Sequence, residues 1–318
     1  MKEPIYWRSL KRAFQLVLHH KILWIFGVLS MLLGQLGWNN FVGSLAIFSN
    51  ENTPLSSYFL AVPWSAVWNG TNILWSLWLM VLLISISVLV IMLSVVSEGA
   101  LIAAATSWYK GEKNIKIDEC WHRGVKHFWR LFVVNFSKKF LLAALLVSIN
   151  TVIRGLNPPR NFSETISLVV VVSVGLFLAL AVATVGIFAA GYVVERELPV
   201  AQSVAKAIAL FRDHTLVALE LSLILLLVQS LVIMLFMVAS TWFLLPFVSF
   251  TIIGGFTGVS SFLATGLLST LVLFFLAAAL VGGVLIAFGI SAWMYVFMKM
   301  DHEGVGSRIL HWLSLLKA

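Results

Sequence analysis

Long apolar segments alternate with short half-polar segments along the whole chain. A helix needs about 20 consecutive apolar residues to cross the hydrocarbon core of a bilayer, and six segments reach that length. Their approximate limits are 22–48, 73–106, 132–154, 165–194, 216–243 and 263–298. The pattern therefore predicts an all-α integral membrane protein with six transmembrane helices.

A half-polar segment precedes the first, third and fifth apolar segments. Two of these half-polar segments carry identical residues at matching positions, namely Ala13/Ala207, Leu16/Leu210 and His20/His214. In all three, apolar residues recur at helical spacing, within 7–18, 117–132 and 200–211. This periodicity predicts three amphipathic helices that lie along the cytoplasmic headgroups of the membrane. The alternative is that any helix entering a membrane has an amphipathic start.

Basic side chains lie outside the apolar stripes of these predicted amphipathic helices. They are Arg8, Lys11, Arg12, Arg123, Lys126, Arg130, Lys206 and Arg212. Near a membrane surface, each basic residue contributes about 1 kcal/mol of attraction to anionic lipids. We therefore expect anionic headgroups on the cytoplasmic side to be binding partners of the chain.

The ends of the apolar segments repeat as well. The second ends in GALIAAATSWYK and the sixth in GVLIAFGISAWMY, with identities at Gly99/Gly283, Leu101/Leu285, Ile102/Ile286, Ala103/Ala287 and Ser107/Ser291. We predict one polytopic membrane domain over residues 1–318. It would consist of three repeat-like units, each an amphipathic helix followed by a hairpin of two spans, with approximate limits 1–110, 111–198 and 199–318. Chance similarity between apolar sequences is the alternative.

The composition supports the membrane class. The chain is 61% hydrophobic and only 11% charged, whereas a soluble domain carries about 25% charged residues. Too few polar side chains are present to cover the surface of a soluble protein of this length. Lipid is therefore the expected solvent for much of the chain.

The distribution of positive charge predicts the orientation in the membrane. The formal net charge is +8, and all but two of the 21 lysines and arginines lie in segments that face inward if the N-terminus is cytoplasmic. The exceptions are Arg154 and Arg160. Because basic residues accumulate on the cytoplasmic side, both termini are predicted to be cytoplasmic. Nucleic acid is disfavoured as a partner, since the charge is spread over several membrane-flanking segments instead of one patch.

The half-polar segments, the six spans and the Gly-x-Leu-Ile-Ala endings resemble those of a diffuse group of bacterial membrane proteins. That group includes the membrane domain that precedes some glycerophosphoryl diester phosphodiesterases, and stand-alone relatives of unassigned function. The resemblance implies six helices in a bacterial or archaeal cytoplasmic (inner) membrane. It does not imply phosphodiesterase activity, because this chain has no room for the soluble catalytic barrel.

Catalytic and metal-binding motifs are absent from the sequence. It contains no phosphate-binding lysine loop, H-E-x-x-H, C-x-x-C or G-x-S-x-G, and the seven histidines have spacings unlike those of common zinc sites. The glycine-rich run GGFTGVSSF (254–262) is predicted to form an outer loop, flexible or partly dipping into the membrane. We therefore predict a protein that is not an enzyme and that carries no cofactor or metal.

Four ionisable residues interrupt apolar sequence and are the candidate site residues: Glu98, Lys138, Lys139 and Glu220. A charge in hydrocarbon is costly, so such residues usually face a bundle interior or a cavity. The fixed helical rise of 1.5 Å per residue brings Glu98 and the two lysines to overlapping depths. We predict that Glu98 contacts Lys138 or Lys139 in a polar vestibule open to the cytoplasm. Alternatively, the lysines snorkel and the glutamates lie among the headgroups.

Two classes of function fit these predictions. The first is a non-enzymatic membrane component that handles lipids, acts as a scaffold or maintains the cell envelope. The alternative is a small transporter or channel with a cytoplasm-facing vestibule. Transporters usually have broken helices and polar groups near mid-membrane, whereas the middle of each span here is aliphatic, as in LMVLLISISVLVIML. The sequence therefore favours the first class.

Overall fold

The structure, a computed structural model, describes residues 6–31, 73–112, 115–155 and 161–303. These ranges are almost entirely helical and contain no strand, which confirms the predicted all-α class. In chain order the helices are α1 (Tyr6–His19), α2 (Ile22–Met31), α3 (Ile73–Tyr109), α4 (Ile117–Lys126), α5 (Phe128–Gly155), α6 (Phe162–Arg196), α7 (Val200–Asp213), α8 (Thr215–Thr257) and α9 (Ser260–Glu303).

Five of the described helices, α3, α5, α6, α8 and α9, are long and apolar enough to cross a membrane. A sixth candidate is the pair α1 and α2, which meet at a bend of 105°. At this bend the indole Nε1 of Trp24 donates a hydrogen bond to the carbonyl oxygen of Val17 (2.8 Å). By length and composition these are the helices of a membrane protein. The rest of the first predicted span, 32–48, lies outside the described residues.

The third span begins earlier than the sequence pattern predicts. Helix α4 ends at Lys126 and α5 begins at Phe128 instead of residue 132, so Arg130 belongs to the long helix and not to the amphipathic one. Phe128, Phe132, Phe136 and Phe140 explain the early start. Their rings pack at i, i+4 spacing along α5, with centroids 6.0–6.5 Å apart.

The prediction of an outer loop between the fifth and sixth spans is wrong. Helix α8 continues to Thr257 and α9 begins at Ser260, with only Gly258 and Val259 between them. Gly258 has φ +70°, a left-handed conformation that suits glycine at a helix end. Gly254 allows close helix packing, because a Cβ there would collide with the backbone of Leu263. Gly266 of α9 does the same, since its Cβ would lie 2.5 Å from the backbone nitrogen of Thr251. The glycine-rich run is therefore a tight helical hairpin.

The chain forms two compact units. The first consists of the described parts of 1–31, 100–120 and 213–318, and the second of the described parts of 32–99 and 121–212. This division follows contact density, whereas the three predicted repeat-like units follow sequence similarity, and the two divisions differ.

In the first unit, α9 packs against α8, α2 and α1. Helices α2 and α9 approach closely where Gly27 faces Gly283. A Cβ on Gly283 would lie 2.5 Å from Cγ2 of Val28 and 2.9 Å from the carbonyl oxygen of Trp24. Such backbone proximity is possible only between small residues.

In the second unit, α5 and α6 form a hairpin around Leu142, Ile149 and Ala179. Helix α4 approaches α3 where two glycines meet, since a Cβ on Gly99 would lie 2.9 Å from the Cα of Gly124. This contact positions the end of α3 that carries Glu98.

The three predicted amphipathic helices are present as α1, α4 and α7. Their buried faces differ from the apolar stripes seen in the sequence, whose residues other than Val17 are partly or fully exposed. On α1, for example, Trp7 is 80% and Phe14 57% exposed. The buried positions are Ser9, Ala13 and Leu16 of α1, Cys120 and Gly124 of α4, and Ser203, Ala207 and Leu210 of α7. Small residues, with one leucine each on α1 and α7, thus make many of the protein contacts.

Candidate functional site

A buried polar cluster lies between α3 and α5 in the second unit. The carboxylate of Glu98 accepts a hydrogen bond from Nδ2 of Asn135 (2.6 Å, to Oε2), and its Oε1 lies 3.9 Å from Nζ of Lys138. All three side chains are at least nine-tenths buried. The predicted contact between Glu98 and one of the two lysines is therefore present. That it lines a cavity open to the cytoplasm stays a prediction.

Lys138 reaches Glu98 along a groove on α6. The groove exists because residue 186 is glycine: a Cβ there would lie 2.5 Å from Cδ and 3.0 Å from Cγ of Lys138. The aliphatic stem of Lys138 therefore packs on the backbone of α6, while its ammonium group faces α3. Residues of α3, α5 and α6 thus together position the ammonium group of Lys138.

Asn135 was not among the predicted site residues. It lies three residues before Lys138, which places both on one face of α5. An amide within an apolar span is a signal that sequence reasoning could have used, since a buried amide requires hydrogen-bond partners. Here one of those partners is the carboxylate of Glu98.

The other two candidates are placed differently. Lys139 is only partly buried and follows Lys138 on α5. Glu220 is partly buried near the start of α8, in the first unit, whereas Glu98, Asn135 and Lys138 all belong to the second. The structure therefore supports a cluster built from Glu98, Asn135 and Lys138.

The predicted headgroup-binding residues are exposed, except that Arg123 is only partly exposed on α4. The exposed ones on α1 and α7 are Arg8, Lys11, Arg12, Lys206 and Arg212, and Lys126 and Arg130 are exposed on α4 and α5. Arg12, Lys126 and Arg130 also contact other parts of the protein. The guanidinium carbon of Arg12 lies 5.3 Å from the centre of the Tyr295 ring, a cation–π contact.

Lys126 and Arg130 bind the end of α6. Nζ of Lys126 lies 2.6 Å from Oε1 of Glu197, and Nη1 of Arg130 donates a hydrogen bond to the carbonyl oxygen of Glu197 (2.8 Å). Cations at a helix C-terminus also interact favourably with the helix dipole. Sequence reasoning missed Glu197, although an acidic residue directly after a span, opposite a basic segment, was the available signal.

Glu197 holds an unusual backbone conformation. Its φ is +54°, the left-handed region in which a side chain costs energy, and it is the one non-glycine residue with positive φ in the described ranges. The hydrogen bond from Lys126 lowers the pKa of the Glu197 carboxyl, and the charge of Lys126 adds to that effect. We expect the contacts with Lys126 and Arg130 to offset the cost of this conformation.

His127 lies at the junction of α4 and α5. Its side chain is 3% exposed, and within the described part of the chain Nε2 has no hydrogen-bond partner; Oε1 of Glu197 is 3.6 Å away. Burial lowers the pKa of the His127 imidazole, and this outweighs the opposing effect of the Glu197 charge. The neutral form of His127 is therefore favoured.

Replacement of Glu197 is expected to separate the contribution of its carboxylate from that of its backbone. Glu197→Ala should lower the melting temperature more than Glu197→Gly, because only glycine removes the cost of the positive φ. The stability advantage of the wild type over Glu197→Gln should persist at neutral pH. Because the Glu197 pKa is lowered by folding, this advantage should vanish as the pH falls below about 4. Thermal unfolding of the four proteins between pH 3 and 8 measures both effects. An equal loss for alanine and glycine would contradict the backbone argument.

The described ranges contain no group of three or more histidine, cysteine, aspartate or glutamate side chains that could hold a metal ion. Two of the histidines, His19 and His20, pack instead against the ring of Trp108, with centroids 6.4 and 5.9 Å away.

The fold and the cluster thus define a class of protein: an all-helical chain with five, or up to six, helices of membrane length and a buried Glu–Asn–Lys cluster. Comparison with protein families, with curated proteins and with solved structures finds no match. The resemblance to the phosphodiesterase membrane domain and its stand-alone relatives stays a prediction.

Proposed function

We propose that this chain is a multi-pass protein of a bacterial cytoplasmic membrane that binds and organises anionic lipids without catalysing a reaction. In this proposal six spans form three repeated hairpins, and each hairpin follows an amphipathic helix on the cytoplasmic surface. Lipid handling, scaffolding and envelope maintenance are the roles that this activity would serve.

The exposed surface of the long helices supports insertion into lipid. In each of the five helices of membrane length, only 11–33% of the most apolar window is buried inside the protein. Water would make the exposure of so many large apolar side chains highly unfavourable. A bilayer removes that cost.

Burial at matching positions supports the three repeats. The matching sets are Ser9/Cys120/Ser203, Ala13/Gly124/Ala207 and Leu16/His127/Leu210, which follow from the alignment of Arg12 with Arg123 and Lys206. All nine residues are buried. Burial thus recurs at matching positions in the three amphipathic helices and, for His127, directly after the second, as the proposed repeats would require.

The observation that carries the lipid-binding proposal is the division of α1 into separate faces. One face packs in the protein through Ser9, Ala13 and Leu16. A different face exposes Trp7 and Phe14, together with Lys11. An apolar stripe beside a basic residue, on a helix whose opposite side is fixed to the protein, is suited to the headgroup region of an anionic membrane.

Reversal of the charge on this face is expected to weaken the response to anionic lipid. Lys11→Glu should remove about 1 kcal/mol of the stabilisation that phosphatidylglycerol gives over phosphatidylcholine, before any repulsion is counted. Thermal unfolding in nanodiscs of the two lipids measures this difference. Lys116→Glu is the matched control, because Lys116 pairs with Glu119 (2.9 Å) outside the three stripes. Equal lipid responses of the wild type and Lys11→Glu would refute the proposal.

We further propose that both termini are cytoplasmic, a topology supported by the charge distribution. In a Cys120→Ser background, a cysteine at Ser260 should react with an impermeant thiol reagent applied to intact cells. A cysteine at Lys116 should react only after the cells are opened. The opposite labelling pattern would invert the topology.

A second candidate function is a small transporter or channel, and the buried cluster favours it. Under the proposed repeats, Glu98 matches Gly282, while Lys138 matches Gly27 and Leu221. Glycine and leucine suffice at the matching positions, so the fold of a repeat does not require charges there. If folding does not require the buried ion pair, the pair is expected to serve another purpose, such as the passage of an ion or a lipid headgroup.

A further inference from the structure

Helices α8 and α9 are much longer than a bilayer is thick. They contain 43 and 44 residues, which correspond to about 65 Å each at a rise of 1.5 Å per residue. The hydrocarbon core measures about 30 Å, and about 40–45 Å with the headgroups. Each helix is therefore about twice as long as one perpendicular crossing of the hydrocarbon core requires.

The excess length carries no charge. No aspartate, glutamate, lysine, arginine or histidine occurs between Glu220 and Lys299. Trp242 follows Glu220 by 22 residues, or about 33 Å, which is enough for one perpendicular crossing of the hydrocarbon core. We call residues 243–276, the part of the hairpin beyond Trp242, the distal hairpin.

The outer surface of the distal hairpin is uncharged and carries large apolar side chains on several sides. On α8, Phe243, Leu245, Ile253 and Phe256 are exposed, and Phe256 is 88% exposed. Leu268 and Phe275 are exposed on α9. At 100° per residue, the α8 side chains point to widely different sides of the helix. A partner helix would cover one stripe, whereas a helix that is apolar all round is suited to lipid.

Four hydroxyl groups of the distal hairpin are satisfied within their own helix and do not need water. Ser249 donates to the carbonyl oxygen of Pro246 (2.5 Å), and Thr257 donates to that of Ile253 (2.8 Å). On the other arm, Ser269 and Thr270 donate to the carbonyl oxygens of Thr265 and Gly266. Hydroxyls that are satisfied within their own helix can lie in lipid without an unpaired donor.

We propose that the distal hairpin is embedded in lipid along its whole length, with the turn at Gly258 and Val259 in the outer headgroup layer. The inference rests on the membrane insertion proposed above. From Glu220 to Thr257 the helix rises about 56 Å. A tilt of about 40°, the upper end of the usual range, reduces that rise to about 43 Å, the full thickness of the bilayer with its headgroups. The distal hairpin continues the lipid-facing surface of the same two helices.

Site-directed fluorescence quenching tests this proposal on the full chain in nanodiscs. In the Cys120→Ser background, a fluorescent label is placed at Leu268 in one variant and at Leu231 in another; both side chains are exposed. Nitroxide-labelled phospholipids quench from within the bilayer, and iodide quenches from water. Both labels are expected to lose a large fraction of their emission to the lipid quencher and almost none to iodide.

Each other outcome has a definite meaning. Quenching of the Leu268 label by iodide would place the distal hairpin in water. Quenching by neither agent would show that protein covers it, either a second copy or another partner. Both results would overturn the proposal while lipid quenching at Leu231 upheld membrane insertion. Loss of lipid quenching at Leu231 would refute the insertion itself.

Discussion

Gly27→Ala is expected to force α2 and α9 apart and to lower the free energy of unfolding by about 3 kcal/mol. A Cβ on Gly27 would collide with the backbone of Gly283, and backbone cannot rotate away as a side chain does. Helix α1 would be displaced as well, because it adjoins α2 across the bend and packs on α9. Thermal or denaturant unfolding in a fixed lipid mixture measures the loss.

Gly255→Ala is the matched control for this substitution. Gly255 also lies inside a long helix, but no atom lies within 4 Å of the position that its Cβ would take. Alanine has the higher helix propensity, so this variant should be neutral or up to about 1 kcal/mol more stable than the wild type. If Gly27→Ala behaved like Gly255→Ala, the proposed close approach of α2 and α9 would be wrong.

Glu98→Gln is expected to lower the free energy of unfolding by about 3–5 kcal/mol, because it leaves the buried ammonium of Lys138 without its carboxylate. The substituted amide would still offer an oxygen to Asn135, so the loss should come mainly from the ion pair. Adding Lys138→Met should restore most of the stability, since methionine fills the groove at Gly186 without a charge. A double-mutant cycle gives the coupling energy.

Lys139→Met is the control for the cycle, since it alters the neighbouring lysine instead of the one that contacts Glu98. Additive effects of Glu98→Gln and Lys138→Met would reject the pair as a coupled unit. The variant Glu98→Gln/Lys138→Met also tests the second candidate function. Ion flux into proteoliposomes that disappears in this stable double variant would favour a transporter or channel, and the absence of any wild-type flux would remove that candidate.

The helices that end at or directly before a charged residue were the most predictable part of this fold. The predicted spans 73–106 and 165–194 are observed as Ile73–Tyr109 and Phe162–Arg196. A charged residue follows or closes the apolar run in both cases: Lys110 after the first helix, Arg196 at the end of the second. The depth argument for Glu98 and Lys138 also held, because the rise of a helix is fixed and is independent of its neighbours.

The hairpin of the last two spans was predicted, but its tight turn was not, because proline and glycine act differently in water and among membrane helices. Pro246 and Gly254 are of types that disfavour helix in soluble proteins, yet both lie within α8. In membrane helices, glycine permits close packing and proline is tolerated where neighbouring groups satisfy the freed backbone. Periodicity alone also could not show which face of α1 packs in the protein. The contact depends on the small Ser9 and Ala13 and on the partner that fits against them.

The buried Cys120 on α4 allows local opening of the wild-type protein to be measured by thiol modification. It is the single cysteine of the sequence. Because its side chain is only 4% exposed, a thiol reagent can react with it only after the protein opens locally around it. When reclosing is faster than the chemistry, the modification rate reports the free energy of that opening, and every 1.4 kcal/mol changes the rate about tenfold. A single unmodified thiol thus measures, without any mutation, how tightly the amphipathic helix is held and whether an added lipid tightens it.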